Sequence, residues 1–410
     1  MTFPIALDFV QTVAFAGVIL FLGYGIRRLI PPLAKVNIPA PVCGGLPVAG
    51  ILAILYFQGI QPIKFDAALQ TPLQNTFFAS IGFAASLSLM RKGGPLVFAF
   101  FVLAVIVVIL QNVVGAALAW ALGQHPLMGV LAGSVTMAGG PATGLAFAPV
   151  FEEAGVRGAA TLAVAAAMAG IVAGGLVGGP IGTYLIDRRL RSVGPGGPGA
   201  GTLENLAEAQ LPAQTLSTPA GEDAEAYVLM KHLVILITAV GAGVVVSGWL
   251  TGTGVTLPSY IGAMLFAAVL RNLDDVTGIL GLSQRVIDDI GMIALSLFLV
   301  MALMTLRLWE LAGLVTPLLV ILAAQIALVA AVGLLVVPRL MGRDYDAAVM
   351  SGGFCGFMLG TSANAMANMG ALVERYGPAP KAYLVVPLVG AFFIDFANAL
   401  LITFFLNLWR

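Results

Sequence analysis

Asp395 is the one acidic residue of nineteen that falls deep inside an apolar run, in the stretch GAFFIDFANALL, with Asn398 one turn on and on the same helical face. A carboxylate in hydrocarbon is costly and is by default a candidate for ion or substrate work. Asp, Asn, Thr and main-chain carbonyl oxygens are also the hard donors that a small cation accepts. The plainer reading of Asp395 is a protonated or hydrogen-bonded group between helices. Gln111, Asn112 and Gln325 are amides in the middle of other apolar runs, where interhelical hydrogen bonding competes with ligand contact.

Small and hydroxyl residues interrupt the apolar character at two further places, Gly129 to Glu153 and Ala348 to Arg375. The first carries Ser134, Thr136, Gly139, Gly140, Pro141 and Thr143; the second carries Gly360, Thr361, Ser362, Asn364 and Asn368. Pro141 has no N–H and breaks a helix, and the glycines let main chain approach a ligand closely. A half-helix beginning after such a break offers free N–H groups and a positive dipole end to a carboxylate. Thr361 or Ser362 can cap the second half-helix, and Asn364 and Asn368 share one face of it. Tight packing of small residues between helices is the plainer alternative at each place. Main chain that leaves helical pairing at membrane depth must line a cavity, and two such breaks in corresponding positions of two halves point to a transporter binding site.

These groups need a membrane-embedded frame. The chain of 410 residues is 60% hydrophobic and 9% charged, with mean hydropathy +1.03 and no net charge. That composition excludes a soluble domain and gives no electrostatic case for nucleic acid. Apolar runs predict ten spans near 8–26, 41–57, 73–90, 95–122, 158–186, 228–250, 257–271, 287–306, 311–337 and 381–408. The interrupted segments, about 126–150 and 345–371, are expected as re-entrant hairpins. The N-terminal run lacks the basic start of a signal peptide. With the N-terminus outside, 15 of the 19 Lys and Arg fall on the cytoplasmic side and 4 outside, a strong positive-inside bias. Trp120, Trp249, Trp309 and Trp409 all fall at outer ends, as an interfacial aromatic belt requires. Both termini are therefore expected outside.

Residues 187–227, rich in Gly, Pro, Ala and acidic side chains, read as a flexible cytoplasmic linker that separates a first half (1–186) from a second (228–410). Each half has a span ending in a cation (Arg91, Arg307), a long span with a lone glutamine (Gln111, Gln325), an interrupted segment, a charged link ending in glycine (Gly155, Gly377) and a final span. The offsets are 216, 214 and 222 residues. Five spans per half is an odd number, so the second copy enters the membrane inverted. The expected fold is an all-α polytopic membrane protein, an inverted repeat of two five-helix halves, each with a re-entrant hairpin. No nucleotide-binding G-x-x-x-x-G-K-[ST] stretch, nucleophile–base pair or metal-ligand spacing occurs, so neither a primary pump nor an enzyme is expected. Cys43 and Cys355 are expected as free thiols.

At these residues the sequence resembles the bacterial sodium/glutamate symporter family. The stretches that carry the resemblance include IPAPVCGGLPVAG, FFASIGFAASL, HPLMGVLAGSVTMAGG, LSLFLVMALMTLRLWELAG, GRDYDAAVMSGGFCGFMLG, NAMANMGALVERYGP and LVVPLVGAFFIDFANAL. The resemblance implies Na⁺-coupled uptake of glutamate or a closely related small carboxylate, a homodimer in the bacterial inner membrane, and an elevator mechanism. The substrate is then expected at Ser134, Thr136, Gly139, Gly140, Thr143, Thr361, Ser362, Asn364 and Asn368, and Na⁺ at Asp395, Asn398, Gln111 and Asn112. The chain departs from familiar members at Pro141 and Ala142, at Phe354, and at Ser362-Ala363-Asn364, positions expected near the substrate. A cation/proton antiporter and a passive ion channel are the alternatives to symport.

Overall fold

The computed structural model describes residues 5–60, 63–92, 94–189, 224–252, 257–311 and 313–409. Most of these residues are helical; the exception to the all-α expectation is a short parallel pairing of Ile5–Ala6 with Ile63–Lys64. Besides short helices at Pro31–Lys35 and Val337–Leu340, the helices are α1 (Phe9–Leu29), α2 (Ala40–Phe57), α3 (Gln70–Ala84), α4 (Leu87–Lys92), α5 (Gly94–Ala121), α6 (Pro126–Val130), α7 (Gly140–Glu153) and α8 (Ala159–Arg189). They continue as α9 (Ala224–Thr251), α10 (Ser259–Thr277), α11 (Gln284–Met304), α12 (Val315–Leu335), α13 (Tyr345–Leu359), α14 (Ser362–Tyr376), α15 (Pro380–Leu388) and α16 (Ile394–Leu408).

Seven of the described helices are long and apolar enough to cross a membrane: α1, α2, α5, α8, α9, α11 and α12. The other three expected spans take a different form. The run at 73–90 breaks between α3 and α4, where Asn272 bridges the gap by donating to the Ala85 carbonyl and accepting from the Leu87 N–H, each at 2.9 Å. The run at 257–271 extends to Thr277, and its last turns bury an Arg271–Asp275 ion pair of 3.1 Å. The run at 381–408 is interrupted by a π-helical turn at Val389–Phe393, soon after Pro387, which has no N–H for the helical ladder. Of the segment expected as the linker, 187–189 and 224–227 are helical, and residues 190–223 lie outside the described residues.

Helix ends follow local chemistry. Asp8 and Gln11 form a reciprocal capping box on α1, with bonds of 2.8 and 3.0 Å. Asp344 caps α13 through the Ala347 N–H at 2.9 Å, and His125 caps α6 through the Leu127 N–H at 3.3 Å.

Packing divides the helices into two bodies. In one, α1 packs on α2 and α9 on α10, while α2 packs on α11, α10 on α3, and α3 on α11. In the other, α5 packs on α6, α7 on α8, α8 on α13, α12 and α14, and α16 on α5. The first body has satellite cores of its own, one around Phe83, Leu236 and Ile287 and one around Ile19 and Met301. The main core runs through the second body and its contact with the first. At that contact Phe147 meets Phe78 and Tyr260, and Gln74 Nε2 donates to the Ala146 carbonyl at 3.2 Å. The contact is therefore mostly apolar.

Candidate functional site where three helix breaks meet

The first break follows α6. The chain enters a π-helical turn at Leu131–Val135, and Gly133 departs from helical geometry (φ −93°, ψ −127°). A β-carbon at Gly133 would lie 3.0 Å from the Gln111 carbonyl oxygen and 3.3 Å from Asn112 Oδ1, so glycine lets this turn close onto α5. Helix resumes at Gly140 with Pro141 in its first turn, and Gly140 has a left-handed φ of +68°. The second break is Gly360 (φ −156°, ψ −94°), after which Thr361 Oγ1 caps α14 through the Asn364 N–H at 3.4 Å. The third is the π turn between α15 and α16, with Asp395 in the first turn of α16 and partly buried.

These breaks come together. A β-carbon at Gly140 would lie 3.4 Å from the Gly360 carbonyl oxygen and 3.6 Å from Thr361 Cγ2, so the first two breaks touch. Ser362 Oγ donates to the Gly390 carbonyl at 2.8 Å, joining the second break to the third. Asn398 Nδ2 donates to the Ser134 carbonyl at 3.0 Å, joining α16 to the first. From α5, Asn112 Oδ1 accepts from the Ser134 N–H at 3.2 Å and Gln111 Nε2 donates to the Met358 carbonyl at 3.0 Å. Gln325 Nε2 donates to the Gln111 carbonyl at 2.7 Å, so the two lone glutamines meet directly.

Some expected binding residues turn inward to main chain. Thr136 Oγ1 donates to the Leu131 carbonyl at 2.8 Å within its own turn. Asn364 Nδ2 donates to the Ile171 carbonyl at 2.7 Å, and Asn368 Nδ2 to those of Gly174 and Gly352 at 3.0 and 3.2 Å. Those donors hold α14 and α13 against α8. Thr143 packs its side chain beside Gly139 at the start of α7. Phe354, one of the departures, is fully buried and stacks edge-on with Phe100 and Phe357, with centroids 5.8 and 5.5 Å away. It lies six residues, ~9 Å of helical rise, before the break at Gly360. This departure thus lies in helix packing rather than at the breaks.

A row of glycines was not singled out from the sequence. Gly170, Gly174 and Gly178 of α8 run antiparallel to Gly352, Gly356 and Leu359 of α13, with no room for a β-carbon at Gly170 or Gly178. The spacing of four was visible in the sequence; its partner on a helix far along the chain was not.

Electrostatically the site is made of oxygens and amides. Among the described residues, Gln111 Oε1, Asn112 Nδ2, Ser134 Oγ, Gln325 Oε1, Asn364 Oδ1 and Asn398 Oδ1 are buried without a hydrogen-bond partner. Each such group costs about 1–3 kcal/mol when left unpaired, so a cluster of them marks a candidate site for a bound partner. With the Asp395 carboxylate, the oxygens fit a hard cation, and no described Lys or Arg side chain hydrogen-bonds into the cluster. No described group of His, Cys, Asp and Glu could hold a metal ion, and both histidines bond to main chain.

Seven long apolar helices and a polar cluster buried where helix breaks meet are the features of a multi-pass helical membrane protein. A family model described as sodium/glutamate symporter matches residues 5–378. The chain is 39% identical over 403 residues, 98% of either chain, to the sodium/glutamate symporter of Escherichia coli (strain K12). It is 38% identical over 393 residues, 96% of this chain and 95% of the other, to that of Haemophilus influenzae. The chain belongs to the sodium/glutamate symporter family. Its relatives are named as transporters rather than as enzymes, in line with the sequence expectation.

Proposed function

We propose that this protein is a secondary active transporter that couples Na⁺ entry to uptake of glutamate or a closely related small carboxylate. The observation that carries the reading is the convergence of three helix breaks on buried, unpartnered amide and hydroxyl groups. Family membership names the ion and substrate class. Na⁺ would use oxygens from Asp395, Gln111 and the main-chain carbonyls freed at the breaks, replacing its hydration shell with hard donors. An anionic substrate would use hydroxyl and amide donors at the breaks, assisted by the helix ends that begin there. Without an arginine clamp, a co-bound cation offsets the substrate charge, which makes binding of the two mutually favourable.

The segments 126–150 and 345–371 are proposed as re-entrant hairpins of an inverted repeat entering from opposite sides. The exchange of packing partners between halves supports this: α1 on α2 matches α9 on α10, and α2 on α11 matches α10 on α3. The body containing both hairpins would move as an elevator against the body of α1–α4 and α9–α11. Their mostly apolar contact, with few directional bonds to break, supports that movement. The proposal includes termini outside, a cytoplasmic linker and a homodimer in the inner membrane.

The test is uptake of labelled glutamate into proteoliposomes under an inward Na⁺ gradient. Accumulation that collapses with the gradient, and is lost in Asp395→Asn, is expected. Undiminished gradient-driven uptake by that variant removes Asp395 from the mechanism, and absence of Na⁺-dependent uptake in the wild type overturns the reading.

A further inference from the structure

Ser134 is held between two asparagines from opposite halves of the chain. Its N–H donates to Asn112 Oδ1 at 3.2 Å, and its carbonyl accepts from Asn398 Nδ2 at 3.0 Å. These bonds fix the sense of both amides, because an N–H requires an acceptor and a carbonyl requires a donor. They leave three atoms with no partner: Asn112 Nδ2, Ser134 Oγ and Asn398 Oδ1. The three residues are 0, 0 and 1% exposed, so water does not satisfy these atoms from outside.

The unpaired set is mixed. Asn112 Nδ2 can only donate, Asn398 Oδ1 can only accept, and the Ser134 hydroxyl can do either. A bare cation has no use for an amide N–H, and a bare carboxylate has none for an amide oxygen. A zwitterion uses all three. We infer that Asn112, Ser134 and Asn398 form the subsite for the head group of an α-amino acid, with Asn112 Nδ2 and Ser134 Oγ donating to its carboxylate and Asn398 Oδ1 accepting from its ammonium. Asp395, three residues earlier on α16, lies on the same helical face as Asn398. This inference rests on the amino-acid transport reading and moves Asn112 and Asn398 from the cation to the substrate.

The test is binding to the purified full-length protein, by calorimetry and thermal shift, with glutamate, glutarate (no ammonium) and Na⁺ alone. Asn112→Asp keeps the shape and exchanges the donor for an oxygen. It is expected to weaken glutamate on the order of 10- to 100-fold while a stabilising response to Na⁺ alone persists. Ser134→Ala, a smaller change, is expected to weaken glutamate and glutarate alike, and Asn398→Ala to weaken glutamate but not glutarate. Wild-type affinity for glutamate in Asn112→Asp, loss of the Na⁺ response in that variant, or equal weakening of both ligands in Asn398→Ala overturns the assignment. If Asn112→Asp does not fold, the Ser134→Ala and Asn398→Ala comparisons decide. A wild-type protein that binds no amino acid overturns the transport reading itself, which separates the two failures.

Discussion

Gly178 of α8 and Gly352 of α13 face each other so closely that a β-carbon on Gly178 would sit 2.6 Å from the Gly352 carbonyl oxygen and overlap Asn368 Nδ2. The contact lies in the row that also brings Gly174 to Gly356 and Gly170 to the Leu359 carbonyl. Such close approach lets main chains gain dispersion contacts and lets Asn364 and Asn368 reach carbonyls of α8. Gly178→Ala is expected to destabilise the protein by about 1–3 kcal/mol, the usual cost of overpacking. Gly179→Ala is the control, because nothing lies within 4 Å of a β-carbon there. It is expected to leave stability unchanged or raise it by up to about 1 kcal/mol through helix propensity. Thermal unfolding in one detergent reads both, and equal effects would remove the glycine row as the cause.

Tyr260 offers a change of opposite sign. It is 4% exposed, packs on Phe78 and Phe147 at 4.7 and 5.1 Å, and its hydroxyl has no partner. Tyr260→Phe keeps the ring and removes the unpaired group, so a gain of about 1–3 kcal/mol is expected. The ring lies at the contact between the two bodies, so a form stabilised there should also exchange substrate more slowly. A raised melting temperature with slower uptake is the expected pair of results; a lowered melting temperature would mean that the hydroxyl has a partner in the folded protein.

Much of the frame was legible in the sequence because hydrocarbon imposes length and apolarity on a spanning helix. The breaks at Gly139–Pro141 and Gly360–Thr361 were legible because proline and glycine interrupt helical pairing in otherwise apolar runs. The match of Gln111 with Gln325 followed from register, and Gln325 Nε2 donates to the Gln111 main-chain carbonyl. What escaped depends on partners remote in sequence. Nothing near Ala85 and Ser86 announces a break, since Asn272, far along the chain, satisfies the freed main chain. The turn at Val389–Phe393 was hidden in an unbroken apolar string, where Pro387 was the one signal. Nor do type and spacing show that the Asn368 donors serve the carbonyls of Gly174 and Gly352.

Phe354 bears on specificity. It is one of the departures from the family pattern, and its ring is enclosed by Phe100 and Phe357. Phe354→His would bury an imidazole among phenyl rings with no partner. A loss of about 1–3 kcal/mol is expected, with the order of preference among amino acids unchanged. A competition assay against labelled glutamate reads the preference; a reordered series would bring this side chain back to the binding site.

Gly140 separates a strained turn from a role at the tips. Its φ is +68°, and a β-carbon would project toward the Gly360 carbonyl, 3.4 Å away. Gly123, at the end of α5, has a similar φ of +72° with nothing within 4 Å of a β-carbon. Alanine at either position meets left-handed backbone strain of about 1–2 kcal/mol, so both variants should lose comparable stability. Only Gly140→Ala inserts a methyl group where the first two breaks meet. Its substrate affinity is expected to fall about tenfold, a 1.4 kcal/mol effect, while Gly123→Ala binds as the wild type does. Saturation binding with the folded fraction measured in the same samples distinguishes the two, and parallel losses in both variants would mean that strain alone accounts for the effect.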